Sequence, residues 1–256
     1  MVIGLASDLS SGTPLVGIPH SDPASTVLAL NQVSKVYRRG GKTVPALNDV
    51  TLQVGRGDFC AFIGPSGCGK STLLNLIAGL DYPTSGSILL EGADTGRFTS
   101  AEWTRRRREC LGIVFQAFHL IPGLTAQENV ALPLLLQGRQ GSQLLQRVEE
   151  ALSLVGMWAR RQHRPAELSG GEQQRVAIAR AIVHRPRMVL ADEPTGNLDS
   201  ANGRDIIALL RSLADRLRHT VLLVTHSGAA AQSADYIWEM RDGRLIGRVS
   251  PDAVPR

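Results

Sequence analysis

The sequence predicts an α/β domain in which parallel strands carry polar side chains at their carboxyl ends. The short apolar run Phe59–Ile63 lacks polar alternation, which is typical of a strand buried on both faces. A glycine-rich loop at residues 64–72 follows it and leads into helically spaced leucines. Two later apolar runs, residues 188–191 and 220–225, end on an acidic pair and on a histidine. Together these patterns indicate a sheet that holds ligands at one edge.

The loop at residues 64–72 reads G-P-S-G-C-G-K-S-T and matches the phosphate-binding pattern G-x-x-x-x-G-K-[ST]. Its glycines allow a tight turn and let backbone N–H groups and a helix N-terminus approach a phosphate closely. We expect the lysine to contact the β- and γ-phosphates and the serine hydroxyl to bind Mg²⁺. The predicted nucleotide-binding residues are Gly64, Pro65, Ser66, Gly67, Cys68, Gly69, Lys70, Ser71 and Thr72.

The composition is typical of a globular protein. Of 256 residues, 43% are hydrophobic and 20% charged, which suffices for one large domain or a domain with a subdomain. No apolar run approaches the roughly 20 residues that span a bilayer, and the first residues do not resemble a signal peptide. The cysteines at 60, 68 and 110 are odd in number and lack metal-ligand spacing, which indicates a reducing, cytoplasmic compartment.

The net charge of +5 is mild, and the four consecutive arginines at residues 105–108 form the only dense basic run. No aromatic side chains are interleaved with them, as a groove for nucleic acid would require. We interpret this run as the solvated face of a helix and expect no nucleic-acid partner.

The chain ends and the first strands have a different character from the centre. Residues 1–26 are rich in Ser, Gly and Pro without periodicity, which predicts a disordered extension before a domain at 27–250 and a tail at 251–256. Tyr37 lies in a strand-like, antiparallel segment upstream of the phosphate loop. Its ring either stacks on a purine or packs within the sheet.

The middle of the chain predicts a strand followed by a helical insertion. The strand at residues 113–115 ends on Gln116, which places a polar amide at the carboxyl edge of the sheet. From about Phe118 to Arg164 the apolar spacing is helical, and we expect a helical subdomain at about 118–180.

The stretch L-S-G-G-E-Q-Q-R at residues 168–175 predicts a second anion site. Ser169 is a natural N-cap and Glu172 stands three residues on, as in a capping box. Gly170 and Gly171 are poor helix formers unless the backbone must approach another group. A serine and two glycines at a helix N-terminus suit a phosphate, so this half-site indicates a partner subunit. The alternative is a well-capped helix without further function.

Asp192 and Glu193 follow an apolar strand and predict the acidic pair of a nucleotide hydrolase. The first acid would orient hydrated Mg²⁺ and the second would face the attacking water, although a turn-forming acidic pair fits the pattern too. A tight loop at 196–200 contains Asp199, and His226 ends the next strand. Asp242 and the glycine after it predict a closing hairpin.

These motifs, in this order and at this spacing, resemble the ATP-binding subunits of ABC transporters over residues 27–249. The stretches L-T-A-Q-E-N-V-A-L-P-L and A-D-E-P-T-G-N-L-D-S are most similar to the branch that serves lipoprotein release, macrolide or peptide export, and cell division. The extension at residues 1–26 and Ser227 depart mildly from the common pattern.

The resemblance implies an α/β fold with a P-loop NTPase core on a parallel sheet, an antiparallel β subdomain and a helical subdomain. It implies an ATPase that binds ATP and Mg²⁺ and dimerises head to tail around two ATP molecules. Catalysis would involve Glu193, His226 and Gln116, and the metal ligands would be Ser71, Gln116 and Asp192. Further ATP contacts, on either subunit, would come from Tyr37, Ser169, Gly170, Gly171, Glu172 and Asp199.

The resemblance also implies integral membrane permease subunits as partners, with this chain peripheral at the cytoplasmic face of the membrane. A soluble ABC ATPase acting on a cytoplasmic assembly or on nucleic acid is the alternative. Versions that act in translation usually have two ATP-binding domains, and chromosome-associated versions insert a long coiled coil, which this chain lacks. A small-molecule kinase would not explain L-S-G-G-E. The sequence leaves open the transported substrate and whether the dimer is formed by identical or related subunits.

Overall fold

The structure is a computed structural model that describes residues 25–254. The disordered extension expected at residues 1–26 lies outside the described residues except for its last two, and the end of the expected tail lies outside them too. Two sheets and seven helices build the described part.

A six-stranded sheet forms the centre of the molecule, in the order β10-β9-β3-β8-β7-β6. All neighbouring pairs are parallel except β9 and β10, whose hairpin turns at Asp242 and Gly243 with positive φ at both, as predicted. β7 and β8 are almost wholly buried, which explains their unbroken apolar sequences. The strands are β3 (Phe59–Ile63), β6 (Leu111–Phe115), β7 (Met188–Asp192), β8 (Thr220–Val224), β9 (Tyr236–Arg241) and β10 (Arg244–Val249).

An antiparallel sheet of four strands lies beside the first, in the order β2-β1-β4-β5. Gly40 and Gly41 both have positive φ and form the tight turn between its two long strands. Tyr37 pairs with Val44 across this hairpin, so the predicted antiparallel strand is confirmed. The strands are β1 (Thr26–Arg39), β2 (Lys42–Gly55), β4 (Ser85–Leu90) and β5 (Ala93–Asp94).

Side-chain caps fix where several helices begin. Thr99, Thr125 and Ser169 each accept a hydrogen bond from the third residue of the helix that follows, and the glutamate there completes a capping box. The helices are α1 (Lys70–Ile77), α2 (Ser100–Glu109), α3 (Ala126–Leu136), α4 (Ser142–Leu154), α5 (Gly170–Ile182), α6 (Ser200–Leu217) and α7 (Gly228–Ala231).

The helical stretch predicted from Phe118 begins only at Ala126, so that boundary was wrong. Phe118 and His119 have φ of +55° and +50°, outside the helical region. Arg180 of α5 donates hydrogen bonds to both of their carbonyls, which holds this loop against α5. The capping box at Thr125 then sets the start of α3.

The two faces of the central sheet have separate cores because side chains alternate along each strand. Phe59 and Ala61 contribute to the core under α3–α6, while Cys60 and Phe62 contribute to the core shared with α1 and the antiparallel sheet. Among the described residues, no helix is both long and apolar enough to cross a bilayer.

The arginines at residues 105–108 are more than a solvated face of α2, so that interpretation is wrong for most of them. Arg107 donates to the carbonyl of Gly79 at 2.8 Å, and Arg108 donates to that of Leu136 at 2.7 Å. Arg106 lies 3.6 Å from Glu91. The run therefore ties α2 to its neighbours.

Candidate nucleotide-binding site

The predicted site residues gather where parallel strands end. The phosphate loop follows β3, Gln116 follows β6, Asp192 ends β7, and His226 lies two residues beyond β8. Since β3, β8, β7 and β6 are consecutive in the sheet, these residues meet at one edge.

The phosphate loop depends on two glycines that no other residue could replace without movement. A Cβ at Gly64 would overlap the carbonyl oxygen of Met240, and one at Gly69 would overlap that of Ala46. Both have positive φ, as does Gly67, which faces open space. The loop is thus fixed against β9 and β2 while its open side stays free for a ligand.

Lys70 folds back over the loop. Its Nζ donates to the carbonyl oxygens of Gly64 at 2.7 Å and Pro65 at 3.2 Å, and it lies 3.9 Å from the Sγ of Cys68. The side chain is only 7% exposed. An ammonium group encircled by its own loop is correctly placed to contact a phosphate held there.

Ser71 and Asp192 meet across the edge of the sheet. The Ser71 hydroxyl donates to Oδ1 of Asp192 at 3.1 Å. Burial raises the pKa of the Asp192 carboxyl, the Ser71 hydrogen bond and Lys70 lower it, and neighbouring Glu193 raises it. A half-buried carboxylate that accepts few hydrogen bonds is stabilised by a cation.

Glu193 and His226 form the second contact. The Nδ1 of His226 lies 2.9 Å from Oε2 of Glu193, and the backbone N–H of His226 donates to the same oxygen at 3.3 Å. Glu193 has a φ of +47°, a conformation that side-chain-bearing residues adopt at a cost. That left-handed turn directs its carboxylate toward the end of β8.

Gln116 is held by Asn197, a residue that the motif analysis did not single out. Its Nε2 donates to Oδ1 of Asn197 at 3.1 Å, and Nδ2 of Asn197 donates back to the Gln116 carbonyl at 3.0 Å. A Cβ at Gly196 would collide with the Gln116 amide. The position of Asn197, four residues after Glu193, was the available signal.

Tyr37 lies beside the phosphate loop and is 38% exposed. Its hydroxyl donates to Oδ2 of Asp81 at 2.8 Å, and the side chain of Thr72 lowers the pKa of the phenol. Lys35 lies 2.6 Å from Asp81 and 4.9 Å from the Tyr37 ring centre. Burial and Asp81 raise the pKa of the Tyr37 phenol, so it stays neutral. Sequence reasoning missed Lys35 and Asp81, which stand far apart in the chain.

The donor set at this edge suits Mg²⁺. Hydroxyl, carboxylate and amide oxygens are the ligands that this hard cation prefers, and Ser71, Asp192 and Gln116 offer one of each. Ser71 and Asp192 touch directly. Gln116 adjoins Asp192 through the pairing of Phe115 with Asp192.

The second predicted anion site begins α5. Ser169 is exposed and caps the helix, accepting from the Glu172 N–H at 3.3 Å while Glu172 accepts from the Ser169 N–H at 2.9 Å. A Cβ at Gly171 would meet Asn202 at 2.8 Å, and one at Gly170 would meet Leu198 at 3.4 Å. The glycines therefore let α5 approach the start of α6.

Asp199 organises the start of α6. Its Oδ1 accepts from the N–H groups of Ala201 and Asn202 at 3.0 Å, and its Oδ2 accepts from the Asn202 amide at 2.6 Å. Asn202 thus joins Asp199 to Gly171. Within the described part of one chain, no hydrogen bond or ion pair joins residues 169–172 to the phosphate loop.

The comparisons with known proteins agree with this geometry. A family model described as "ABC transporter" matches residues 47–196, more than half of the chain. The chain is 45% identical over 224 residues to the lipoprotein-releasing system ATP-binding protein LolD of Shewanella denitrificans, covering 87% of this chain and 96% of that protein.

A second relative is larger than this chain. The chain is 45% identical over 228 residues to the macrolide export ATP-binding/permease protein MacB of Burkholderia pseudomallei, a match to 89% of this chain. It spans only 35% of that relative.

The fold matches a solved ATP-binding cassette. The dimeric structure of MJ0796 in a post-hydrolysis state, bound to ADP and Pi, superposes with a TM-score of 0.81 at 40% identity. The match covers 88% of this chain and 98% of that one. The chain belongs to the ABC transporter family, as an ATP-hydrolysing subunit of the type represented by LolD and MacB.

Proposed function

We propose that two copies of this cassette, or one copy and a related subunit, close head to tail around two ATP molecules. The observation that carries this proposal is the separation of two phosphate half-sites in one chain. The phosphate loop lies at the edge of the central sheet, whereas Ser169 is exposed at the start of α5 without contact to it. A second subunit that presents its α5 start to the loop would complete each site.

Each side chain then has a distinct role at the bound nucleotide. Lys70 exchanges its bonds to the loop carbonyls for the β- and γ-phosphates, and Tyr37 stacks on the adenine. Ser71, Asp192 and Gln116 hold Mg²⁺, which when bound neutralises charge on the phosphate oxygens. The partner's α5 start contributes a serine hydroxyl and backbone N–H groups to the γ-phosphate.

Glu193 accepts a proton from, or polarises, the attacking water. His226 contacts the γ-phosphate, and its contact with Glu193 orients that carboxylate. Asp199 couples the two sites, because it fixes the loop that packs on Gly171 through Asn202.

ATP drives closure because the γ-phosphate adds contacts that only the closed dimer can make. Hydrolysis removes the link between the phosphate loop of one subunit and the α5 start of the other. The closed dimer is then no longer favoured, and the subunits separate.

We propose that this motion drives a separate permease, with the chain bound peripherally at the cytoplasmic face of the membrane. The relative named LolD is an ATP-binding protein of a lipoprotein-releasing system, and the one named MacB carries ATP-binding and permease functions together. Residues 27–250 would form the ATP-binding domain, and the helices of 118–180 would transmit the motion.

The test is capture of the partner. Glu193→Gln is expected to bind ATP and stall, so a tagged variant with ATP should retain a multi-spanning membrane protein from detergent-solubilised cells, identified by mass spectrometry. Wild type with ADP is the matched control and should retain less. Recovery of only soluble proteins or nucleic acid would overturn the permease assignment.

A further inference from the structure

A cavity of about 530 Å³ opens at the edge of the central sheet opposite the nucleotide site. Its lining comes from the residues that immediately precede β7 and β8 and from the last turns of α4, α5 and α6. Strands of this length place it roughly 13 Å or more from the phosphate loop. The volume is within the range of small-ligand pockets.

The lining is strongly basic. Six arginines and one histidine face a single carboxylate in this pocket. That excess equals the +5 net charge of the whole chain, although acids and bases elsewhere also contribute to the sum. The charged lining residues are Arg56, Arg147, Arg185, Arg187, Arg216, Arg218, His219 and Glu150.

Half of these arginines have partners and half do not. Arg185 lies 3.1 Å from Glu150, Arg56 lies 3.4 Å from Glu91, and Arg187 also pairs with Glu91. The side chains of the other three, which are Arg147, Arg216 and Arg218, form no hydrogen bond or ion pair with another described residue, although Arg218 is near enough to Asp215 to lower the pKa of that carboxyl. Guanidinium groups in this state are free to bind an anion.

Helix ends do not account for the excess. The C-termini of α4, α5 and α6 each bring about half a negative charge, which with Glu150 and Glu91 offsets about three or four of the six positive charges. Asp215, whose pKa Arg218 lowers, offsets part of the remainder, and the lining keeps a net positive charge.

Two of the lining arginines have a backbone conformation that favours glycine. Arg185 and Arg218 have φ of +54° and +55°, where glycine is the favoured residue. Glycine would relieve this strain at either position; the Arg185 side chain is paired with Glu150, whereas that of Arg218 forms no ion pair.

The lining also includes a buried imidazole, one of whose ring nitrogens has no hydrogen-bond partner among the described residues. This imidazole belongs to His219, which is 5% exposed, and the nitrogen is its Nε2. Leu154 and Leu217, which are 44% and 41% exposed, supply apolar surface beside the arginines.

We propose that this pocket, defined by the lining above, binds a phosphate ester that carries two or more negative charges and an apolar portion. The guanidinium forks of Arg147, Arg216 and Arg218 hold the phosphate oxygens, and the exposed leucines contact the organic part. The same chemistry is offered by a soluble organic phosphate and by the headgroup of an anionic phospholipid. The site lies outside the nucleotide-binding machinery.

The first experiment uses tripolyphosphate as probe and calorimetric titration as readout. Excess ADP keeps the nucleotide site occupied. Wild type is expected to bind one equivalent, and Arg216→Gln/Arg218→Gly is expected to bind at least tenfold more weakly. Arg97→Gln/Arg105→Gln removes the same charge from exposed positions outside the pocket and should match wild type.

Three further measurements distinguish loss of binding from a folding defect. Because Arg218 has a glycine-like conformation and Arg216 is exposed and unpaired, the thermal midpoint of the pocket variant should not fall. Arg147→Gln, on a different helix, should weaken binding in the same direction. In wild type the probe should shift the imidazole resonances of His219.

Vesicles distinguish the two sources of phosphate. Flotation with phosphatidylcholine vesicles, with and without phosphatidylglycerol, compares wild type with both double variants. If wild type and the control variant float with the anionic vesicles and the pocket variant does not, the ligand is a lipid headgroup. If wild type binds tripolyphosphate but does not float with the vesicles, the ligand is a soluble phosphate ester. Equal binding of the probes by all three proteins, or no binding of either probe by wild type, would overturn the proposal.

Discussion

Among single residues, the two acids that follow β7 differ in environment and therefore in what they can do. Asp192 is half-buried, bonded to Ser71, and has a pKa raised mainly by burial. Glu193 is turned by its positive φ toward His226, 2.9 Å away. These environments support the proposal that Asp192 binds a cation and Glu193 a water molecule.

Glu193→Gln is expected to slow ATP hydrolysis by about 10²–10⁴-fold, because the amide cannot accept a proton from water. ATP affinity should change little, since Lys70 and the phosphate loop are untouched. Steady-state phosphate release and nucleotide titration measure the two effects. Glu149→Gln, an exposed change on α4, is the matched control. Unimpaired hydrolysis would contradict the role of Glu193.

The raised pKa of Asp192 predicts a pH dependence of stability. A carboxyl whose pKa is higher in the folded than in the unfolded protein adds stability at low pH, below the unfolded value, and loses it as pH rises through the folded value. Without nucleotide and metal, Asp192→Asn should therefore be more stable than wild type at pH 7. That advantage should shrink toward pH 4 in denaturant titrations. An advantage independent of pH would contradict the assignment.

The glycines of the phosphate loop should differ in their sensitivity to substitution. Gly67→Ala meets no atom within 4 Å and should cost roughly 1–2 kcal/mol through its positive φ alone. Gly69→Ala would also collide with the Ala46 carbonyl and should cost more. Equal losses of unfolding free energy in the two variants would mean that the contact with β2 is unimportant.

Among the elements, α3 and α5 begin with the same capping box, although only the start of α5 is proposed to bind phosphate. Thr125→Ala and Ser169→Ala should each lower the unfolding free energy by about 1 kcal/mol. Only Ser169→Ala should reduce ATP-dependent dimerisation and hydrolysis. Equal activity in the two variants would make Ser169 a cap and nothing more.

The sequence predicts well those elements whose positions are set by residues close to them in the chain. Apolar runs identify β3, β7 and β8 because strands buried on both faces cannot tolerate polar residues. The start of α5 follows from Ser169 and Glu172 alone. The loop at 118–125 was taken for helix because Arg180, which holds its carbonyls, lies more than 50 residues away in the chain.

The same distinction applies to the site. Motif spacing predicts the phosphate loop, the acidic pair and His226, since each lies at the end of a strand or within two residues of it. Asp81 and Asn197 escaped notice because their partners, Tyr37 and Gln116, are brought to them only by the fold. The basic pocket is wholly non-local, because its arginines come from two helices and from the loops before three strands.

In the whole molecule, the central sheet separates a nucleotide edge from a basic edge. The antiparallel sheet carries Tyr37, whose pKa responds to Thr72 of the phosphate loop, while Ser169 is exposed at the start of α5. The two proposed halves of a phosphate site thus lie apart in one chain, which is the arrangement that the proposed head-to-tail pair requires.

The most direct test is the mass of Glu193→Gln in solution, measured by light scattering during size-exclusion chromatography with ATP or ADP. The sandwich account predicts twice the mass of one chain with ATP and a single chain with ADP. Adding Ser169→Ala to the variant should weaken the ATP-bound dimer, whereas adding Thr125→Ala should not. A variant that binds ATP and stays monomeric at concentrations well above its nucleotide Kd would contradict the account.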